Sequence, residues 1–257
     1  MSAPNSLQRL SLKQFADRFR SEMIPLGNRF CYFAAAVSLS PEDLREYLDE
    51  PVAALPPSIA SRLPQVQILL VPYLEKSSEA GARRKFDLLV TTERPDAATS
   101  SSAGTVVNGK DAVLAFAVKD TEVADYHYRF YRAIAELVAD LPRGIPDGFT
   151  ELLYEEFRHR AHGELDEQSW QLKQELDDKD LNPAKPTRRF KQYLRQSFVD
   201  TLTLYLHGIC CDIDVDTGPR QLASRLIRKR LVLLRSAYPP PEGYAVLPED
   251  VKATHEK

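Results

Sequence analysis

The sequence predicts an α+β fold: an N-terminal mixed sheet of about four strands with flanking helices, followed by a mostly helical C-terminal half. Three observations carry this. Short β-branched apolar runs bounded by turn or charged residues gather before Asp120. Apolar residues recur at helical spacing after Pro142. The 257 residues are 43% hydrophobic and 28% charged, a balance suited to a packed core rather than a disordered polymer. The expected division is residues 1–145 for the sheet, 146–237 for the helices and 238–257 for a tail held extended by Pro239-Pro240-Pro241.

Taken in order, residues 11–23 place Leu12, Phe15, Phe19 and Met23 on one helical face. Pro25-Leu26-Gly27-Asn28 is a turn, and Phe30-Cys31-Tyr32-Phe33 begins a buried strand. Ser40 caps a helix opened by Pro41 with Glu42 and Asp43 in its first turn, ending near Pro51. Residues 66–74, 86–90 and 113–118 read as three strands of one sheet. The small residues 96–104 between them read as a mobile loop. Helices are then expected over 123–141, 149–162, 167–176, 189–207 and 219–235, with Gly208 ending the fourth.

The charges exclude a globally basic nucleic-acid coat: 34 basic against 37 acidic residues give −3. No run approaches the roughly 18 apolar residues of a membrane span, and residues 1–20 lack an apolar signal core. Three cysteines make no disulfide framework, so a cytoplasmic, non-membrane protein is expected. Residues 120–182 hold 16 acidic and 7 basic side chains, whereas 188–235 hold 10 basic and 4 acidic. Such stretches either pair within the chain or offer complementary surfaces to a partner. His127, between Tyr126 and Tyr128, reads as a packed side chain.

Two donor sets could hold a divalent ion, Mg²⁺, Mn²⁺ or Zn²⁺; no other cofactor is expected. Glu155, His159 and His162 fall at i, i+4 and i+7, on one stripe of a continuous helix. Asp212, Asp214 and Asp216 alternate with Ile213 and Val215, which puts three carboxylates on one strand face near His207. The latter is no EF-hand loop, since Gly218 falls at the seventh position and Ala223 at the closing one. The bland readings are a solvated helix face and a polar strand edge paired with arginine. No P-loop, Rossmann fingerprint, serine-hydrolase elbow or Cys-x-x-Cys is present.

Gly163, Leu165, Asp166, Glu167, Trp170 and Lys173 follow a glycine, hydrophobic, cap, acidic, aromatic, lysine order. Over residues 151–177 this resembles the SHOCT helical hairpin, a family associated with oligomerisation; the resemblance implies a stop at Gly163, a cap at Asp166, and Trp170 and Leu176 turned onto the preceding helix. A helix followed by three strands, with Asp87 in the second and Lys119 ending the third, is similar to the PD-(D/E)xK nuclease core. That similarity implies Asp87 in a metal-binding position and Lys119 in the lysine position, although Ala117 stands where the family has a second carboxylate.

The leading expectation is a cytoplasmic protein-interaction or assembly subunit, acting with a protein partner or as a homo-oligomer. The alternative is a divalent-metal phosphodiesterase or nuclease using Asp87 and Lys119, or Asp212, Asp214 and His207. Whether the protein is an enzyme is left open by the sequence, and no motif specifies nucleic acid.

Overall fold

A computed structural model describes residues 10–77, 87–210 and 221–246. Its strands lie in the N-terminal half and its long helices in the C-terminal half, the expected α+β arrangement. Two compact units emerge from the chain's own contacts. One takes residues up to Val52 with Ser61–Phe130, the other Ala53–Ala60 with Tyr131 onward.

The first unit opens with β1 (Leu10–Ser11) and α1 (Leu12–Arg18). Ser11 and Gln14 form a reciprocal capping box at the start of α1. The helix is shorter than the 11–23 expected, and residues 20–22 tighten into a 3₁₀ turn before β2 (Ile24–Pro25). β3 (Phe30–Ala34) leads to Ser40, whose side chain and Asp43 box the start of α2 (Pro41–Leu44). The helix runs on through a π turn at Arg45–Asp49 into α3 (Glu50–Ala53). α4 (Pro57–Ala60), a single turn, belongs to the second unit.

The run at 66–74 is not one strand. Pro72 has no N–H to donate, so the chain leaves one sheet at the end of β4 (Gln65–Val71) and enters another at β5 (Tyr73–Lys76). β6 is Leu88–Thr91. The stretch expected to be a mobile loop instead carries β7 (Ser100–Ser101) and the first two residues of β8 (Ala103–Asn108), anchored by Thr99 and Ser100 amides on the Asp96 carbonyl at 3.0 and 2.8 Å. β8 turns at Gly109, in the left-handed region at φ 63°, and returns as β9 (Asp111–Ala117).

The strands therefore divide over two sheets. One has the order β1-β6-β5-β7; the other, β2-β3-β4-β9-β8, is mixed, with β3, β4 and β9 parallel and its edges antiparallel. The central strands are buried on both faces, as parallel strands usually are. Leu69, Val71 and Ala115 face Leu12 and Phe15 of α1. On the other face Phe116 meets Tyr126 edge-on at 5.0 Å, at the start of α5 (Val123–Asp140). His127 is packed as expected: it is buried, with Nε2 2.7 Å from the Glu46 carbonyl oxygen.

The second unit is helical. α6 (Asp147–Arg158) ends four residues before its expected end, and α7 (Glu167–Gln174) follows. α8 (Arg188–Cys210) passes through Gly208 rather than stopping there, and α9 (Ser224–Ala237) closes the unit. Phe149, Phe190, Phe198 and Tyr205 form its aromatic interior. Among the described residues no helix is long and apolar enough to cross a membrane.

Candidate functional site

On α9, Ile227, Arg230 and Leu234 are spaced by three and four, so they share the buried face. Arg230 is completely buried. An arginine cannot shed its charge there, so the surroundings must supply carboxylates. Glu156, on the inward face of α6 one turn after Leu152 and Leu153, meets it with Nε–Oε1 3.0 Å and Nη2–Oε2 2.5 Å. Glu164 meets it with Nη1–Oε2 2.9 Å and Nη2–Oε1 3.0 Å.

Glu164 is set in place by the backbone. Gly163 sits in the left-handed region at φ 80°, reversing the chain after α6, and Leu222 N–H donates to the Glu164 carbonyl at 3.2 Å. Its carboxylate also accepts from Tyr193 Oη, from Ser197 Oγ at 3.4 Å and from Lys173 Nζ at 3.3 Å. Lys173 further donates to the Gly163 carbonyl at 2.9 Å and lies 5.5 Å from the Phe157 ring centre. Burial alone would raise the Glu164 carboxyl; the charges of Arg230 and Lys173, with hydrogen bonds from Arg230 and Tyr193, win and hold it at about 2. Burial raises the Tyr193 phenol, and the Glu164 charge raises it further. Two cations and two anions close on one another.

A second buried carboxylate is less well served. Asp200 on α8 accepts from Arg132 Nη1 at 3.2 Å and Gln196 Nε2 at 2.8 Å, both at Oδ1. Its Oδ2 has no hydrogen-bond partner among the described residues. Burial, helped by the nearby Asp166 charge, pushes this carboxyl up to about 6 against the pull of the Ser169 hydroxyl, Arg132 and Gln196.

Beside the ionic network opens a cleft of about 620 Å³ between the end of α6 and the start of α9. Glu155, His159 and His162 all line it, yet not as one helical stripe. α6 stops at Arg158, His159 is its cap, and Arg160 turns into the left-handed region at φ 51°. Among the described residues no group of three or more His, Cys, Asp or Glu side chains stands where it could share one metal ion. Glu155 is instead held by Lys229 Nζ at 2.7 Å.

The other sequence candidates lie apart. His207 sits on α8, half-buried, 6.1 Å from the Tyr131 ring centre, and does not line the cleft. Asp212, Asp214 and Asp216 lie outside the described residues. Lys119 stands over the Tyr73 ring at 5.5 Å, whereas the Asp87 carbonyl pairs with Ser77 at the far end of β5. Four residues of strand, on the order of 13 Å, separate the two positions, and their strands belong to different sheets.

Asp166 caps α7, accepting from Gln168 N–H at 2.9 Å. The most extensive packing of α7 is against α8. The acidic and basic stretches do pair within the chain: besides Arg230 and Lys229, Arg195 grips Asp140 at 2.8 and 2.9 Å. Reasoning from the sequence missed Arg230, Glu164, Lys173 and Tyr193. The available signal was a lone charge on the apolar stripe of α9, matched by Glu156 on that of α6. Compared with protein-family models, curated proteins and solved structures, the chain matches none.

Proposed function

We propose that the chain is a cytoplasmic protein-interaction or assembly subunit, and that it pairs with a second copy of itself along β8. The outer edge of β8 carries the reading. β8 ends its sheet, and a two-residue turn joins it to β9, so Asn108 and Asp111 exchange hydrogen bonds. Alternation then directs the backbone N–H and C=O of Thr105 and Val107 away from β9.

Natural edges are blunted by charge, proline, brevity or bulges. The opposite edge, β2, is two residues long and contains Pro25. β8 has six residues, no charge and no proline, and Val107 is 58% exposed. Antiparallel pairing about Val106 would set Thr105 against Val107 of the second copy, β-branched against β-branched, with no like charges opposed. The charge division between the helices lends little support, because Glu155, Glu156 and Glu164 of the acidic stretch already pair with Lys229 and Arg230 of the basic one within the chain.

Size-exclusion chromatography with light scattering on the full chain tests the reading. A dimer is expected at micromolar concentration. Thr105→Pro and Val107→Pro should return it to monomer with the circular-dichroism spectrum unchanged, since neither N–H serves β9. A wild-type chain monomeric throughout, or proline variants that remain dimeric, would overturn it.

A further inference from the structure

The cleft between α6 and α9 is a candidate site of a different kind, independent of the β8 edge. At about 620 Å³ it falls within the range of small-molecule pockets. Among the described residues that line it, cationic side chains outnumber carboxylates. Glu155 is occupied by Lys229 at 2.7 Å, and Glu156 is turned inward to Arg230 at 2.5 and 3.0 Å. Arg160 and Arg225, both exposed and both lining the cleft, make no ion pair with a carboxylate among the described residues.

Three further residues whose side chains can donate hydrogen bonds also line it: His159 and His162 on one wall and Gln221 on another. α9 begins at the rim with Ala223 as its cap residue, no side-chain cap and no acidic residue in its first turn, so its own first turn supplies no negative charge to the positive end of the helix. Ala161, Ala223 and Leu226 add an apolar patch.

We infer that this cleft binds a small phosphorylated molecule, its phosphate gripped by Arg160 and Arg225. Guanidinium forks suit phosphate oxygens in bidentate geometry, and two of them balance a dianion better than a single carboxylate. The ionic network beneath makes the site rigid: Arg230 fixes Glu156 on one wall and is itself part of α9, so the two walls keep their spacing without the ligand.

Isothermal titration calorimetry of the full chain with inorganic phosphate and glycerol 3-phosphate tests this, with sodium acetate as the monoanion control. Saturable binding of both phosphates is expected, tighter than acetate by at least tenfold. Arg160→Ala and Arg225→Ala should each weaken it about tenfold and together abolish it. Lys191→Ala, which removes one exposed cation of α8 outside the cleft, should leave it unchanged. The inference fails if phosphate does not bind at millimolar concentration, or if Lys191→Ala weakens binding as much as the arginine variants do. Light scattering on the same samples separates this outcome from that of β8 pairing.

Discussion

Arg230 and Glu164 face each other through two parallel N–H···O contacts of 2.9 and 3.0 Å, and neither side chain touches solvent. A pair so placed adds little against a well-packed apolar substitute, but breaking it strands a buried charge. Arg230→Met should therefore cost about 3–5 kcal/mol by leaving Glu156 and Glu164 without their main partner. Urea denaturation of the variant beside the wild type reads this directly. The triple change with Glu156→Gln and Glu164→Gln should recover part of the loss.

Glu164 and Asp200 give stability opposite slopes with pH. The Glu164 carboxyl is held at about 2 folded against an ordinary 4.5, so its contribution is present above 4.5 and lost as pH falls toward 2. The Asp200 carboxyl is raised from 3.8 to about 6, so its contribution is full below 3.8 and lost as pH rises through 6. The latter gap corresponds to about 3 kcal/mol. Asp200→Asn should raise the thermal midpoint at pH 7.5 and flatten the fall between pH 4 and 6. Calorimetry across that range checks the sign.

Gly144 lies where a side chain has no room. A Cβ there would stand 1.7 Å from the Val138 carbonyl oxygen, a backbone atom that cannot swing aside. The Gly144 carbonyl also accepts from Tyr238 Oη at 2.5 Å. Gly144→Ala should destabilise by several kcal/mol, about 3 or more, a size seen only for severe mechanisms such as overpacking. Tyr238→Phe, which removes only the hydroxyl, should cost about 1 kcal/mol.

The Asp166 cap offers a smaller, local test. Asp166→Ala removes the acceptor for Gln168 N–H and should cost about 1 kcal/mol. It also removes a negative charge near Asp200, so the Asp200 titration should move down in the same variant. Carboxyl-carbon NMR would register both effects in one sample.

The sequence revealed elements whose signals are local. The Ser40 cap, the proline at position 41 and the Asp166 cap all act within a few residues, and each is found where expected; Gly163 is left-handed, but the helix it was expected to stop has already ended at Arg158. Partition between sheets was hidden, because one apolar run serves both and only Pro72 marks the change. β8 was obscured by its small residues, although Asn108-Gly109 is a strong hairpin signal. The histidine stripe failed because periodicity assumed a helix continuing past Arg158, while Arg160 adopts a left-handed backbone. The ionic network joins positions 156, 164, 173, 193 and 230, and no window of sequence spans them.

That spread has a bearing on biosynthesis. While residue 230 is still inside the ribosome, Glu156 and Glu164 have no guanidinium to meet, and water is their better host. Docking of α6, which carries Glu156, and of the segment beyond it that carries Glu164 is thus expected to wait until α9 emerges. A chain cut short before that helix would leave translation with its centre still wet, ready for proteolysis rather than use.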